Sequence, residues 1–280
     1  MLVASLLAVA LWEFCQPRRR REFPALRRRL GNVGIWVLNI VLAAFVFAPT
    51  DTFRAQLADL FGVRLPTWPI ANTLLSFVSG FLVLDLLIYG VHRWMHAVPF
   101  LWRFHALHHS DPDIDVTTSV RQHPGEYMLV SAAYWIAVIV LGIPAIVVLT
   151  HGLSVFAAAA ITHGNIRLPE WLERLLQPVV ITVDLHVIHH SVVYEEANVN
   201  FGAVLSIWDR LFGTYAGISR ARCDRLVFGV RELPPRPETL RDAADSVADR
   251  AGLLRRCAEP KQITPTGLDR RQAGGADPAW

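Results

Sequence analysis

Cysteine is nearly absent from this 280-residue chain, and Cys15, Cys223 and Cys257 stand too far apart to form a disulfide framework or a CxxC pair. Iron–sulfur and cysteine–zinc chemistry are thereby excluded. Charge is also scarce, at 18% of residues against 53% hydrophobic, with a mean hydropathy of +0.34. A soluble domain of this size carries more charge, so the composition points to a membrane protein. The sequence has no GxGxxG loop and no CxxCH haem attachment, which leaves it without a nicotinamide, flavin or haem centre of its own. The net charge of +3 comes from arginines clustered beside apolar segments, with no basic stripe interleaved with aromatics. That pattern reads as membrane topology, and nucleic acid is not an expected partner.

The apolar stretches set the topology. "MLVASLLAVALWEF" has no basic residues before it and reads as a short or truncated first membrane helix rather than a signal peptide. Seven arginines between Arg18 and Arg29 follow, and the positive-inside tendency assigns them to the cytoplasm. A second apolar run covers Val33 to Ala48. After an outer loop over 50–69, Pro66 and Pro69 introduce a third span from Ile70 to about Val91, which at about 1.5 Å per residue crosses a hydrocarbon core. The stretch from Tyr127 to Ile161 is too long for one span, and Gly142 with Pro144 breaks it into a hairpin. A hairpin returns the chain to the side it left, so the segments around His92, His123 and His163 share the cytoplasmic face.

What the sequence has in abundance at that face is histidine. "HRWMH" supplies His92 and His96, "HALHH" supplies His105, His108 and His109, and "HVIHH" supplies His186, His189 and His190, with His163 a ninth. Spacings of three and four residues bring side chains onto one helical face. Imidazole suits iron, zinc, copper or nickel, and eight or nine nitrogens exceed what one ion accepts, so two metal ions are expected. His151 stands alone near the second hairpin arm, where packing is the better reading. Asp85, Tyr89, His92 and His96 fall on one helix face. A carboxylate and a phenol below the metals would hold an imidazole or relay a proton.

Taken in order, "DLLIYGVHRWMH", "WRFHALHHS", "SVRQHPGE", "HGNIRLP", "DLHVIHHS" and "NVNFGAVLSIWDRLFGTY" resemble the fatty acid hydroxylase and sterol desaturase superfamily of integral-membrane di-iron oxygenases. The likeness runs from Ile70 to Tyr215. It implies that His92, His96, His105, His108, His109, His186, His189 and His190 ligate metal, with His163 the usual additional ligand. It places Arg121, His123 and Glu126 near the active site; His123 and Glu126 therefore join Asp85 and Tyr89, read from their helix spacing, as the candidate catalytic residues. Val183 and Val187 depart from the family pattern without removing a ligand. "WDRLFGTY" supplies no ligand and is either a structural corner or a closure of the site, while Asn198 and Asn200 are candidates for orienting ligands.

The resemblance implies an all-α fold, an integral-membrane helical bundle of about four spans including a helical hairpin, with a cytosolic histidine-rich cap. Residues 1–69 would form the N-terminal membrane helices and loops, 70–215 the catalytic domain and 216–280 a polar, partly disordered tail with one amphipathic helix from Pro237. The expected function is O2-dependent hydroxylation or desaturation of a membrane lipid by two iron ions, for which zinc can substitute in purified samples. Electrons would come from an external reductase, ferredoxin or cytochrome, docked by basic patches such as Arg93 and Arg103. Trp94, Trp102, Phe104 and Trp135 are the expected substrate lining. A membrane metal transporter or metal-binding protein is the alternative, although it would place ligands along a crossing path. A zinc hydrolase would need fewer ligands and an obvious general base.

Overall fold

The computed structural model describes residues 2–46, 60, 67–68 and 73–230. Most of the outer loop, the first residues of the third span and the tail helix at Pro237 lie outside the described residues. Those described are helical, with only two isolated β-bridges, Val180 to Leu205 and Ser191 to Phe228. Helices α1 (Leu2–Cys15), α2 (Ala25–Val46), α3 (Thr73–Ala97), α4 (Pro99–His109), α5 (Pro124–Leu141) and α6 (Ala145–His163) form the main body. Among the described residues, α3, α5 and α6 are long and apolar enough to cross a membrane, whereas α1 is a shorter apolar helix. The second predicted span begins within α2, which opens with three arginines and packs against α5.

Local chemistry explains the hairpin. The His123 ring accepts the Gly125 N–H at 3.0 Å, and Pro124 takes the first helical position, where no amide hydrogen is needed. At the far end Gly142 adopts φ 68°, its N–H bonds to the Val138 carbonyl, and Pro144 starts α6. Leu84, Val138, Ile143 and Val147 pack where α3 meets the hairpin. Outward-facing Leu74, Ile136, Val140, Ile146 and Leu149 remain exposed, as a lipid-facing surface requires.

The hairpin puts the start of α5 and the end of α6 at one end of the bundle. Helix α3 does not stop at Val91 but continues to Ala97, carrying His92 and His96 on its last two turns. Above that end sit α4, a 3-10 turn at Val116–Val120 and the short helices α7 (Glu170–Leu176), α8 (Val183–His189), α9 (Tyr194–Ala197), α10 (Ile207–Leu211) and α11 (Arg220–Cys223). Their shared core contains Val116, Ile166, Val183, Ile188 and Val199, together with Val9 from α1. Ala216, Cys223 and Leu226, beyond the expected start of the tail, are buried in the same core.

Candidate metal centre

The structure gathers all nine predicted histidines into two adjoining groups. One contains His92, His96, His105, His109 and His189, and the other His108, His163, His186 and His190; within each group the ligand atoms lie within 4.8 Å of one another. The two HxxHH motifs are each divided. On α4, His105 and His109 join the first group and His108 the second, while on α8 His186 and His190 join the second and His189 the first. Residues four apart face the same way and their neighbour faces aside, so one turn of helix serves both groups.

The nitrogen geometry fits metal ions. His92 Nε2 lies 3.1 Å from that of His105 and 3.0 Å from that of His189, and His163 Nε2 lies 2.9 Å from His186 and 3.0 Å from His108. Two nitrogens each about 2.1 Å from a cation, at a right angle, are about 3.0 Å apart. These contacts cannot all be hydrogen bonds. Nδ1–H of His92 donates to the Phe201 carbonyl at 2.8 Å, His189 to Val199 at 2.9 Å, His163 to Ala159 at 2.7 Å and His108 to Arg121 at 3.2 Å. A carbonyl only accepts, so the hydrogen of each neutral ring sits on Nδ1 and the Nε2 lone pairs face one another. His96 Nε2 is buried without a partner. A cation in each group relieves that repulsion, and both groups can hold a metal ion. Burial first, and then the neighbouring imidazoles, hold His108, His109, His186, His189 and His190 well below the ordinary histidine range, in the neutral form that binds metal.

The four remaining candidates separate. Glu126 is buried and its Oε1 receives Nδ1–H of His105 at 2.8 Å. His123 does not join the groups, because its Nδ1 is occupied in capping α5. Asp85 meets no ligand histidine: one oxygen accepts the Trp208 indole N–H at 2.8 Å and the Leu205 N–H at 3.2 Å, and the other lies 3.5 Å from His151. His151 in turn contacts the Tyr134 hydroxyl at 3.2 Å, so these groups form a polar lock between spans. Tyr89 bonds through its hydroxyl to Thr214 at 2.9 Å and stacks on Phe212.

The "WDRLFGTY" corner gains its purpose from Asp209, which the sequence reading passed over. Its buried carboxylate accepts the N–H groups of Phe201 at 2.7 Å and Gly202 at 2.9 Å and the Thr214 hydroxyl at 2.7 Å. A Cβ at Gly202 would lie 2.4 Å from the Leu205 carbonyl oxygen, so only glycine permits this approach. Asn200, at φ 56°, bonds to the Leu185 and Ala216 carbonyls and orients backbone rather than a ligand. Asn198 bonds to the Tyr194 carbonyl, outside the site.

A cavity of about 160 Å³ opens between α3, α5 and α6 and reaches histidines of both groups. Ile88, Val91, Met95, Val130, Val155 and Ala159 supply its apolar wall. The expected aromatic lining is absent. Trp94 is exposed, Trp102 packs on His96 and His109, Phe104 on Phe100 and His123, and Trp135 beside Tyr134.

Residues 77–214 match the fatty acid hydroxylase family model. They are a fatty acid hydroxylase domain. The domain is 35% identical over 148 residues to an ornithine lipid hydroxylase of Rhizobium tropici, covering 53% of this chain and 43% of that protein. It is 27% identical over 164 residues to the alkylglycerol monooxygenase of Homo sapiens, covering 55% and 33%, and 27% identical over 172 residues to a methylsterol monooxygenase of Arabidopsis thaliana, covering 57% and 55%. The match thus spans less than half the length of the first two relatives. No solved structure matches the chain at a significant level.

Segments outside the matched residues brace the fatty acid hydroxylase domain. Glu13, buried on α1, accepts the Val116 N–H at 2.6 Å and the Asn165 N–H at 2.8 Å and pairs with Arg29 at 3.2 Å. Arg28 pairs with Asp111 and Asp115, and Arg18 with Asp184 at 2.6 Å and Asp224 at 2.8 Å. Arg121 binds the Leu107 carbonyl at 2.9 Å, Ser110 at 3.0 Å and Asn32 at 2.8 Å, closing the end of α4. The arginine run is therefore a strap over the histidine cap. An acid inside an apolar helix, followed by arginines, was the signal for Glu13.

Proposed function

We propose that the fatty acid hydroxylase domain is a membrane-bound, O2-dependent lipid hydroxylase holding two iron ions. His92, His96, His105, His109 and His189 would hold one ion, and His108, His163, His186 and His190 the other. An iron pair bound there supplies two electrons and open positions for O2. The observation that carries the reading is the cavity, which joins apolar walls between the spans to histidines of both groups.

The chain's own groups position the chemistry. Ile88, Val91, Val130 and Val155 hold an alkyl segment and keep water from it. Glu126 and the carbonyls of Phe201, Val199, Ala159 and Arg121 fix ring orientation and hydrogen placement at five histidines. The substrate is a molecule already dissolved in the bilayer, because the cavity opens between helices that cross it. Hydroxylation is preferred over desaturation because the relatives' names are hydroxylase and monooxygenase. Two further electrons per turnover come from an external donor. The arginine strap at the histidine end supports a cytoplasmic placement of the site.

Anaerobic metal analysis of the purified protein, paired with lipid profiles of cells with and without the gene, tests the proposal. The expected result is about two irons per chain and one oxidised lipid that disappears with His108→Ala. Zinc in an aerobic sample is a replacement to be reversed by reloading. An active protein free of metal overturns the reading.

A further inference from the structure

A second cavity lies behind the histidines and shares no lining residue with the first. Its volume is about 560 Å³, and Gly164 and Val187, chain neighbours of His163 and His186, form part of its wall. Arg18, Arg19, Arg20, Arg21 and Arg225 line it, opposed by Glu22, Asp113 and Asp224. Two of those carboxylates are already engaged. Asp224 pairs with Arg18 at 2.8 Å and Arg167 at 2.6 Å, and Asp113 accepts the N–H groups of Glu22 at 3.0 Å and Phe23 at 2.8 Å.

Arg18 and Arg21 pair with Asp184 and Glu13, but the other three cations are less fully satisfied. Arg20 and Arg225 are exposed and have no partner among the described residues. Arg19 gives one nitrogen to the Leu226 carbonyl at 2.7 Å and lies over the Phe228 ring at 4.4 Å, while its other terminal nitrogen is buried without a hydrogen-bond partner. Guanidinium forks in a concave site match the oxygens of a phosphate, and the volume suits a ligand of headgroup size.

Position indicates where that phosphate comes from. Leu7, Leu11 and Phe14 on α1 are 63%, 63% and 82% exposed, as lipid-facing residues are, and the arginines begin four residues after Phe14. Phe23, half exposed, lies on the cavity itself. The cavity thus sits where apolar surface gives way to polar, at the depth of the headgroups. We propose that it binds the phosphate group of an anionic phospholipid, pinning the arginine strap to the membrane surface.

The test uses the metal-loaded full chain in nanodiscs of phosphatidylcholine doped with phosphatidylglycerol, followed by native mass spectrometry. One retained phosphatidylglycerol per chain is expected. The double variant R20E/R225E should lose it with unchanged metal content and thermal midpoint, while R103E/R174E, which reverses two exposed charges outside the cavity, should keep it. Displacement by inorganic phosphate would overturn the lipid assignment in favour of a soluble phosphate; retention against inorganic phosphate would support the lipid. Equal loss in both double variants, or retention in R20E/R225E, overturns the proposal in favour of diffuse attraction. Binding of an acidic soluble protein at the arginines with no lipid retained overturns it in favour of a protein partner. No arm reads turnover, so failure here leaves the hydroxylase proposal standing.

Discussion

Asp209 grips the peptide of Phe201 from one side, accepting its N–H at 2.7 Å, while the carbonyl of the same residue receives His92 at 2.8 Å. The carboxylate positions a histidine that it never touches. Asp209→Asn turns one acceptor into a donor facing N–H or O–H groups. Metal affinity or activity should fall about 10–100-fold, with helicity by circular dichroism unchanged. Isothermal titration of the metal-free protein measures it.

Glu126→Ala removes the acceptor for His105 in the five-histidine group and touches none of the other four-histidine group. Half of the metal should become weakly held, about 10–100-fold, while the other half stays bound. A biphasic chelator titration would show this, and uniform loss would refute it.

The groups also differ in redundancy. His163→Ala leaves three imidazoles in its group, whereas His96→Ala leaves four in the other. Structural metal sites commonly need four ligands, so His163→Ala should lower metal stoichiometry by about half and His96→Ala by less. Metal analysis by mass spectrometry decides.

Filling the apolar cavity should separate binding of lipid from binding of metal. Val155→Phe projects a ring into a space of about 160 Å³. Product formation should drop with metal content preserved, and a shorter alkyl substrate should recover part of the rate.

The strap should be sensitive to acid. Asp115 is buried, which by itself would raise its pKa, but the Thr117 hydrogen bond, Arg28 and Arg29 outweigh burial and hold it below the ordinary value of 3.8. A lowered carboxylate stabilises the fold above the unfolded value, and that stabilisation is lost as pH falls through the folded one. Thermal midpoints should therefore decline below pH 3.8, and the decline should be shallower in Arg28→Ala. At neutral pH Arg28→Ala should cost about 3–5 kcal/mol, because it strands buried carboxylates.

The histidines were legible because ligands four residues apart face together, and α3, α5 and α6 were legible because apolar runs of membrane length announce themselves. The hairpin was legible from Gly142 and Pro144 for the same local reason. Asp85 and His123 were harder, since spacing tells which face a residue occupies and not which distant segment covers that face. Trp208 reaches Asp85 across 123 positions, and the cap at His123 uses a nitrogen that could equally have met a metal. The cavity lining was misread because large aromatics suggest a lipid slot, whereas an open slot forms where side chains such as Ala159 are small. The strap was read only as topology because its acceptors, Asp111, Asp115 and Asp184, are far along the chain.

Each HxxHH turn gives nitrogens to both groups, and this makes the spacing between the two centres a property of covalent geometry. Adjacent residues on one helical turn cannot drift apart as two domains can. The helices α4 and α8 therefore act as a pair of rulers facing each other, and the gauge between the two histidine groups does not depend on what fills the cavity.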